Sequence, residues 1–313
     1  MKKPKILLIP NIPNWAFDNQ AKQLKKRLSK YYNIDIKYHS DFKKITKNNL
    51  EEYKCIFVFF WPALNTILKY LTPETAKQKL ITGIFSYNSW KGKKNLAKKQ
   101  FNKCRGIIIN NKKIVNLFKS KENKYEIFYM PKSVDSEIFY PQKNKPTKNK
   151  TNKLIIGWAG NPDHVDRNYK GYWNILLPVY KKNTDWLELK TAFNKDNFIP
   201  HHKMNDFYNS IDVLICVSKA ETGPNTVLEA GACKVAIIST KVGIVEEIIK
   251  DNYNGLIINR NQKSLEESLK KLYNNKKLKN KLANNLYNKI IKDHTFKKNI
   301  KSYHGLFKYI IKQ

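Results

Sequence analysis

Arginine is scarce in this chain. Of 60 basic residues only four are arginine, Arg27, Arg105, Arg167 and Arg260; the rest are lysine. Dedicated readers of nucleic acid lean on the arginine fork, which matches phosphate and guanine with paired bonds, so this composition argues against nucleic acid as the target. Acidic residues are few as well, 25 against 60, which leaves a net charge of +35. Such a field attracts polyanions: anionic lipid, phosphorylated substrates or nucleic acid. A plainer source is codon bias, because the abundant Lys, Asn, Ile and Tyr all have A/T-rich codons. Cysteine is limited to Cys55, Cys104, Cys216 and Cys233. No two are spaced C-x-x-C, so the cysteines suggest neither a zinc site nor a disulfide framework. Cys55 and Cys216 lie in apolar runs and read as buried, reduced thiols. No stretch approaches the roughly 20 apolar residues of a membrane span. The start, MKKPK into ILLIP, is too short an apolar run for a secretory leader, and no small-residue cleavage pattern follows. The expectation is a soluble, cytoplasmic protein.

The chain has 313 residues, 41% of them hydrophobic, enough for two domains at roughly 100–200 residues each. Short continuous apolar blocks recur at 5–10 (KILLIP), 34–38, 55–60 (CIFVFF), 80–85, 106–110 and 125–130. Continuous rather than alternating runs are what strands buried on both faces require. Helical patterns such as 14–32 separate them, and the alternation predicts a parallel, doubly wound α/β sheet. The segment 141–153, PQKNKPTKNKTNK, contains no apolar residue except proline and reads as an exposed linker. A second strand series follows at 154–160 (LIIGWAG), 186–193, 212–218, 234–240 and 255–259. We therefore expect two Rossmann-like domains, 1–147 and 148–293, with a lysine-rich C-terminal helix over 294–313. Such tandem domains bind ligands at the carboxyl ends of their strands.

One stretch lies where a ligand would sit in such a domain: ETGPNTVLEAGAC, Glu221 to Cys233, directly after the strand DVLICVS. Pro224 suits the first position of a helix. The amides of Gly223, Asn225 and Thr226 would then lie at its positive end, which favours a phosphate. Glu229, about one and a half turns on, can accept two hydrogen bonds from neighbouring hydroxyls, as on a ribose. Glu221 in the preceding loop can do the same for a sugar. The plainer alternative is that Glu221 caps the helix and Glu229 faces water. GWAGN, 157–161, places Gly160 and Asn161 in a glycine-bearing loop after the first strand of the second domain, where backbone amides can approach a ligand closely. DRNYKG follows, bringing Arg167 and Lys170, cations able to neutralise a leaving diphosphate. His164 lies between these elements. His201 and His202 precede the helix MNDFYNS and either approach the base of a nucleotide or cap that helix, the cap being the plainer reading.

These segments together resemble the retaining glycosyltransferases of family 4 (group 1), which have the two-domain GT-B fold. The resemblance rests on the E-x7-E pair Glu221 and Glu229, on GWAGN with the following YKG, on VGIVEEIIKDNYNGLII at 242–258, and on MPKSVDSEIFYP at 130–141, with Ser133 where the family usually has glycine. It implies two doubly wound domains facing a central cleft and a nucleotide-diphospho-sugar donor held by the C-terminal domain. By the same resemblance Glu229 would bind the ribose, Glu221 the transferred sugar and the Gly223–Thr226 backbone the phosphates and sugar. Lys170, with Arg167, would stabilise the leaving diphosphate in place of a metal, so no metal and no further cofactor are expected; no D-x-D motif is present. The chain departs from the family in two places. Arg167 and Lys170 are three apart rather than five, and the first loop reads PNIPNWAFDNQ instead of being glycine-rich. Asn11, Trp15 and Asp18 of that loop, and Tyr87 or Asn88 of SYNSW, are the expected acceptor-side residues. Two basic segments flanked by aromatics, 15–32 and 89–103, suit an anionic membrane surface and a glycan or lipid-linked acceptor.

Overall fold

The structure, a computed structural model, describes residues 2–44, 48–85, 87–143, 152–193 and 198–312, without the side chains of 42–44, 48, 49, 87 and 88. The chain forms two compact units, Met1–Lys132 with Lys298–Gln313, and Ser133–Lys297. Most of the expected linker, 144–151, lies outside the described residues.

The first unit is built on a six-stranded parallel sheet in the order β2-β1-β3-β4-β5-β6. Its strands are β1 (Lys5–Ile9), β2 (Asn33–Ile36), β3 (Cys55–Val58), β4 (Leu80–Ile84), β5 (Gly106–Ile109) and β6 (Glu126–Tyr129). They coincide with the apolar runs of the sequence. The central strands β3, β4 and β5 are buried along their whole length because helices cover both faces. One face carries Leu7, Ile56 and Val58 with Phe101 and Phe118; the other carries Ile6, Leu8 and Phe57 with Leu24, Leu28, Tyr303 and Phe307. The helix Ala16–Leu28 turns Ala21, Leu24 and Leu28 inward at three- and four-residue spacing and its lysines outward. In the helix Phe296–Lys312, Tyr303, Leu306, Phe307 and Ile310 repeat that pattern. Gln20 donates to the Tyr303 hydroxyl at 2.8 Å, and His304 stacks on Tyr31 with ring centres 4.1 Å apart.

The second unit is a five-stranded parallel sheet in the order β11-β10-β9-β7-β8. Its strands are β7 (Leu154–Gly160), β8 (Leu187–Phe193), β9 (Val213–Cys216), β10 (Ala236–Ser239) and β11 (Leu256–Ile257). Gly157 lies inside β7, not in a loop as GWAGN suggested. A Cβ there would come within 2.3 Å of the Ile211 side chain, so this glycine serves packing and only Gly160 ends the strand. The helices Gln262–Asn274 and Lys276–Asp293 are capped by Asn261 and Asn275, which accept from the amides of Ser264 and Leu278, both at 2.8 Å. Lys279 reaches from the second of these helices to Asp212 at 2.7 Å, and the other Asp212 oxygen accepts from the Ile155 amide at 3.1 Å. One buried carboxylate thus joins a helix, β7 and the start of β9.

All four cysteines are free and buried. Burial pushes the Cys216 thiol up to about 11. Among the described residues no helix is long and apolar enough to cross a membrane.

Candidate functional site

The strand order of the second unit reverses between β7 and β9. The chain runs outward from β7 to β8, then returns to place β9 on the other side of β7. Connections leaving the two strands in opposite directions open a crevice at their carboxyl ends. The segment after β7 brings Lys170 to that point, and the segment after β9 brings Glu221. The two side chains form an ion pair, each about one-fifth exposed. Ser218 donates its hydroxyl proton to the same Glu221 oxygen at 3.0 Å, and Thr240 donates to the Ser218 carbonyl at 2.8 Å. Glu221 is therefore committed to a cation and a hydroxyl rather than to capping the helix.

The turn that carries Lys170 is tied down at three places. The Lys219 amide donates to the Tyr169 carbonyl at 2.8 Å. Gly171, at φ +74°, lies so close to Val217 that a Cβ would stand 2.4 Å from its carbonyl oxygen. Arg260 bridges both strand ends: its Nε donates to the Val217 carbonyl at 3.0 Å, and its guanidinium also donates to the carbonyl of Asn168. On the other side of Glu221, Gly243 at φ +51° allows the chain after β10 to lie against the Glu221–Thr222 backbone.

The helix Asn225–Ala232 begins one residue later than expected, with Pro224 as its N-cap at ψ 114°. Proline has no amide proton, and no side chain caps this end. Glu229 does not face water. It is 8% exposed, and Tyr208 donates its phenol proton to Glu229 Oε2 at 2.7 Å. His201 Nε2 lies 3.4 Å from Glu229 Oε1. The expectation that His201 merely caps its helix is thus corrected; the short turn His201–Lys203 delivers its ring to the carboxylate, edge-on to Phe139. Burial first, and then the Glu229 charge, hold the Tyr208 hydroxyl well above its ordinary range, so it stays a donor.

The other expected residues are placed as follows. Gly160, at φ +148°, ends β7. Asn161 accepts from the Asp163 amide at 3.1 Å, closing the next turn. Arg167 is 70% exposed, with its guanidinium carbon 4.5 Å from the centre of the Trp173 ring and its Nε 3.8 Å from Asp163. Arg260, which the motif reading passed over, buttresses Lys170 instead. Its only sequence signal is that it is one of four arginines in a lysine-rich chain. His164 packs edge-on to Tyr169, and burial, with the nearby Lys170 charge, pushes its pKa down.

In the first unit, Asn11 accepts from the Ile12 amide at 2.9 Å. Trp15 is 55% exposed and precedes the helix Ala16–Leu28. Asp18 is fully buried. It accepts from the Asn14 amide at 2.7 Å and the Tyr38 hydroxyl at 2.9 Å, and pairs with Lys22 at 2.8 Å. Oδ2 thus ties the loop before the helix to its first turns, and Oδ1 ties the helix to the segment after β2. The side chains of Tyr87 and Asn88 lie outside the described residues.

Residues 179–289 match the family described as glycosyl transferases group 1. An uncharacterized glycosyltransferase of Methanocaldococcus jannaschii is 31% identical over 117 residues, 37% of this chain and 32% of that protein. The Bacillus subtilis glycosyltransferase TuaC, named for teichuronic acid biosynthesis, is 26% identical over 114 residues, 36% of this chain and 29% of that protein. The match thus spans about a third of the length of these curated relatives. Over nearly the whole chain, solved structures share the fold. Sucrose-phosphate synthase from Thermosynechococcus elongatus superposes with a TM-score of 0.78 at 12% identity, covering 98% of this chain and 99% of that one. HepE from Anabaena, solved in complex with UDP and glucose, gives 0.77 at 11% identity, covering 97% and 99%. These likenesses establish a GT-B fold of two parallel α/β sheets.

Proposed function

We propose, from the match of residues 179–289 to the glycosyl transferases group 1, that the chain moves a glycosyl group from a nucleotide-diphospho-sugar to a hydroxyl of a glycan or lipid-linked glycan, with retention of anomeric configuration. The observation that carries this reading is the Lys170–Glu221 ion pair at the β7/β9 reversal, beside the start of a helix whose second turn carries the buried Glu229.

The donor diphosphate takes Lys170 over from Glu221. The ammonium then faces the oxygen that gains charge as the bond to the anomeric carbon breaks. A preorganised cation aimed at developing charge is worth most where water is scarce, as at this partly buried position. The amides of Gly223, Asn225 and Thr226 at the positive helix end share that load. With the charge so met by the protein, transfer is metal-independent. Glu221, freed from Lys170, accepts from hydroxyls of the transferred sugar, and Glu229 accepts from the ribose. The acceptor oxygen bonds the anomeric carbon on the face from which the diphosphate departs, and its proton passes to the departing diphosphate oxygen. The uridine nucleotides bound by HepE make a UDP-sugar the donor to test first. On the first unit, exposed Trp15 and Leu96 stand among the lysines of the two basic segments, which supports an acceptor presented at an anionic membrane face on the cytoplasmic side.

The test is thermal unfolding with UDP, GDP, ADP and their sugars, followed by turnover and product anomer. UDP at about 100 times its dissociation constant should add roughly 2.7 kcal/mol. Glu229→Gln should lose that shift, and Lys170→Met should lower turnover by about 10²–10³. The proposal is overturned if no nucleoside diphosphate shifts the protein, or if Lys170→Met turns over as fast as the parent. A shift with oligonucleotides alone, steeply salt-dependent, would assign the charge to nucleic acid instead.

A further inference from the structure

Tyr208 is buried on the helix Met204–Asn209, with no measurable exposure. A phenol in that position needs a hydrogen-bond partner, and the one it has is Glu229 Oε2, at 2.7 Å. His201 stands at the other oxygen, Oε1, at 3.4 Å. Phe139 packs edge-on against both rings, 5.9 Å from Tyr208 and 5.2 Å from His201, so the two partners share one wall. An ionised carboxylate offers about four acceptor positions, two on each oxygen. Tyr208 takes one position on Oε2, and His201 flanks Oε1 at ion-pair distance, leaving at least one position on each oxygen. Rotation about the last torsion of a glutamate is otherwise broad, and the Tyr208 bond on one oxygen with the His201 ring against the other restricts the plane in which the remaining positions point. Two acceptors held side by side fit a cis-diol, which presents two hydroxyls at matching spacing. A single hydroxyl engages only one of them.

We propose that Tyr208 and His201 are positioning residues that aim Glu229 at a vicinal diol and so set a preference for ribose over 2′-deoxyribose nucleotides. The inference rests on the reading of Glu229 as the ribose-binding carboxylate. It extends that reading to two side chains outside the E-x7-E motif.

The test is calorimetric titration of the full chain with UDP and with 2′-deoxy-UDP. A buried carboxylate left without its hydroxyl partner loses a charge-assisted bond, so the parent protein should prefer UDP by about tenfold or more. Glu229→Gln should remove most of that preference. Tyr208→Phe and His201→Ala should each narrow it by roughly threefold to tenfold, while 2′-deoxy-UDP affinity moves less than about twofold. A purely structural role would weaken both nucleotides equally, and that result overturns the inference while leaving the Glu229 assignment intact. Full discrimination in both variants overturns it in the same way. Equal binding of the two nucleotides by the parent, or no binding of UDP, overturns the Glu229 assignment and the inference with it. If Tyr208→Phe does not fold, His201→Ala decides alone, because His201 is half-buried on a short turn.

Discussion

Gly243 lies outside the E-x7-E motif, yet the position of Glu221 depends on it. At φ +51° its backbone is in the left-handed region, and a Cβ would stand 2.3 Å from the Thr222 carbonyl oxygen and 2.8 Å from that of Glu221. Gly243→Ala therefore has two effects that can be separated. The left-handed conformation costs an alanine about 1–2 kcal/mol. The clash forces the Glu221–Thr222 backbone back by roughly 1 Å to reach an ordinary carbon–oxygen contact of about 3.3 Å. A displacement of that size at a reacting group can cost about 10²-fold in rate. For a unit of this size each kcal/mol lowers the melting temperature by about 2–4 °C, so the protein should stay folded at 25 °C. The expected result is a modest fall in melting temperature with a loss of about 10²-fold in turnover of the proposed glycosyl transfer. Gly305→Ala is the control: a Cβ there meets nothing within 4 Å and the site is helical, so the same change should stabilise by roughly 0.5–1 kcal/mol and leave turnover unchanged. Turnover of Gly243→Ala within twofold of the parent, or a loss no greater than its unfolded fraction, would refute the argument.

Three further outcomes follow from contacts elsewhere. Arg260→Ala strips the Val217 and Asn168 carbonyls of their shared donor and frees the Lys170 turn; kcat should drop by about 10–10² with little change in donor KM, while Arg167→Ala, at a mostly exposed site, should change kcat by less than about threefold. Asp212→Ala removes the partner of the mostly covered Lys279 ammonium and of the Ile155 amide; denaturant unfolding should show a loss of about 3–5 kcal/mol, and a loss below 1 kcal/mol would contradict the role given to this staple. Burial pushes the hydroxyls of Tyr32 and Tyr38 up to about 12, with a bond to Asp18 adding to the second. Below about pH 10 both folded and unfolded chains hold these protons; above it the unfolded chain releases them first. Stability should therefore fall from about pH 10 towards pH 12, which urea midpoints at pH 9 and 11 would show, and equal midpoints would count against these shifts.

Strand positions were legible because a strand buried on both faces leaves a local mark: a short run of Val, Ile, Leu and Phe bounded by polar residues. CIFV of β3 and VLIC of β9 are such runs, and both are fully buried. The E-x7-E pair was legible for a different reason, since nine consecutive residues of one loop and helix carry it. Side-chain partners were not, because pairing depends on which strands become neighbours. Lys170 and Glu221 are 51 residues apart, and only the return of β9 to the far side of β7 brings them together. Nothing local to MNDFYNS says that the Tyr208 hydroxyl meets Glu229 across 21 residues. Asp18 shows the converse failure. A carboxylate in a loop near a proposed site invites a binding role, but here the helix start and the Tyr38 hydroxyl draw it inside.

The division of labour between the two cations is itself physical. Guanidinium is planar and carries five fixed donors, so it suits a place where two or more acceptors must be held at set angles. Arg260 holds two carbonyls, and Arg105 pairs with Glu126 at 2.9 Å while meeting the Tyr309 hydroxyl at 3.0 Å. Arg167 lies over an indole face, another use of a flat cation. A group that must release one anion and accept another needs the opposite property: a compact charge on a flexible stem, with three donors and no fixed fork. Lys170 fits that need, and its present partner, Glu221, is the anion it would give up. The lysine excess therefore does not by itself mark a polyanion surface: one lysine is distinguished by partial burial and a carboxylate partner at the strand-order reversal, while Arg260 holds two carbonyls through separate nitrogens of one planar group.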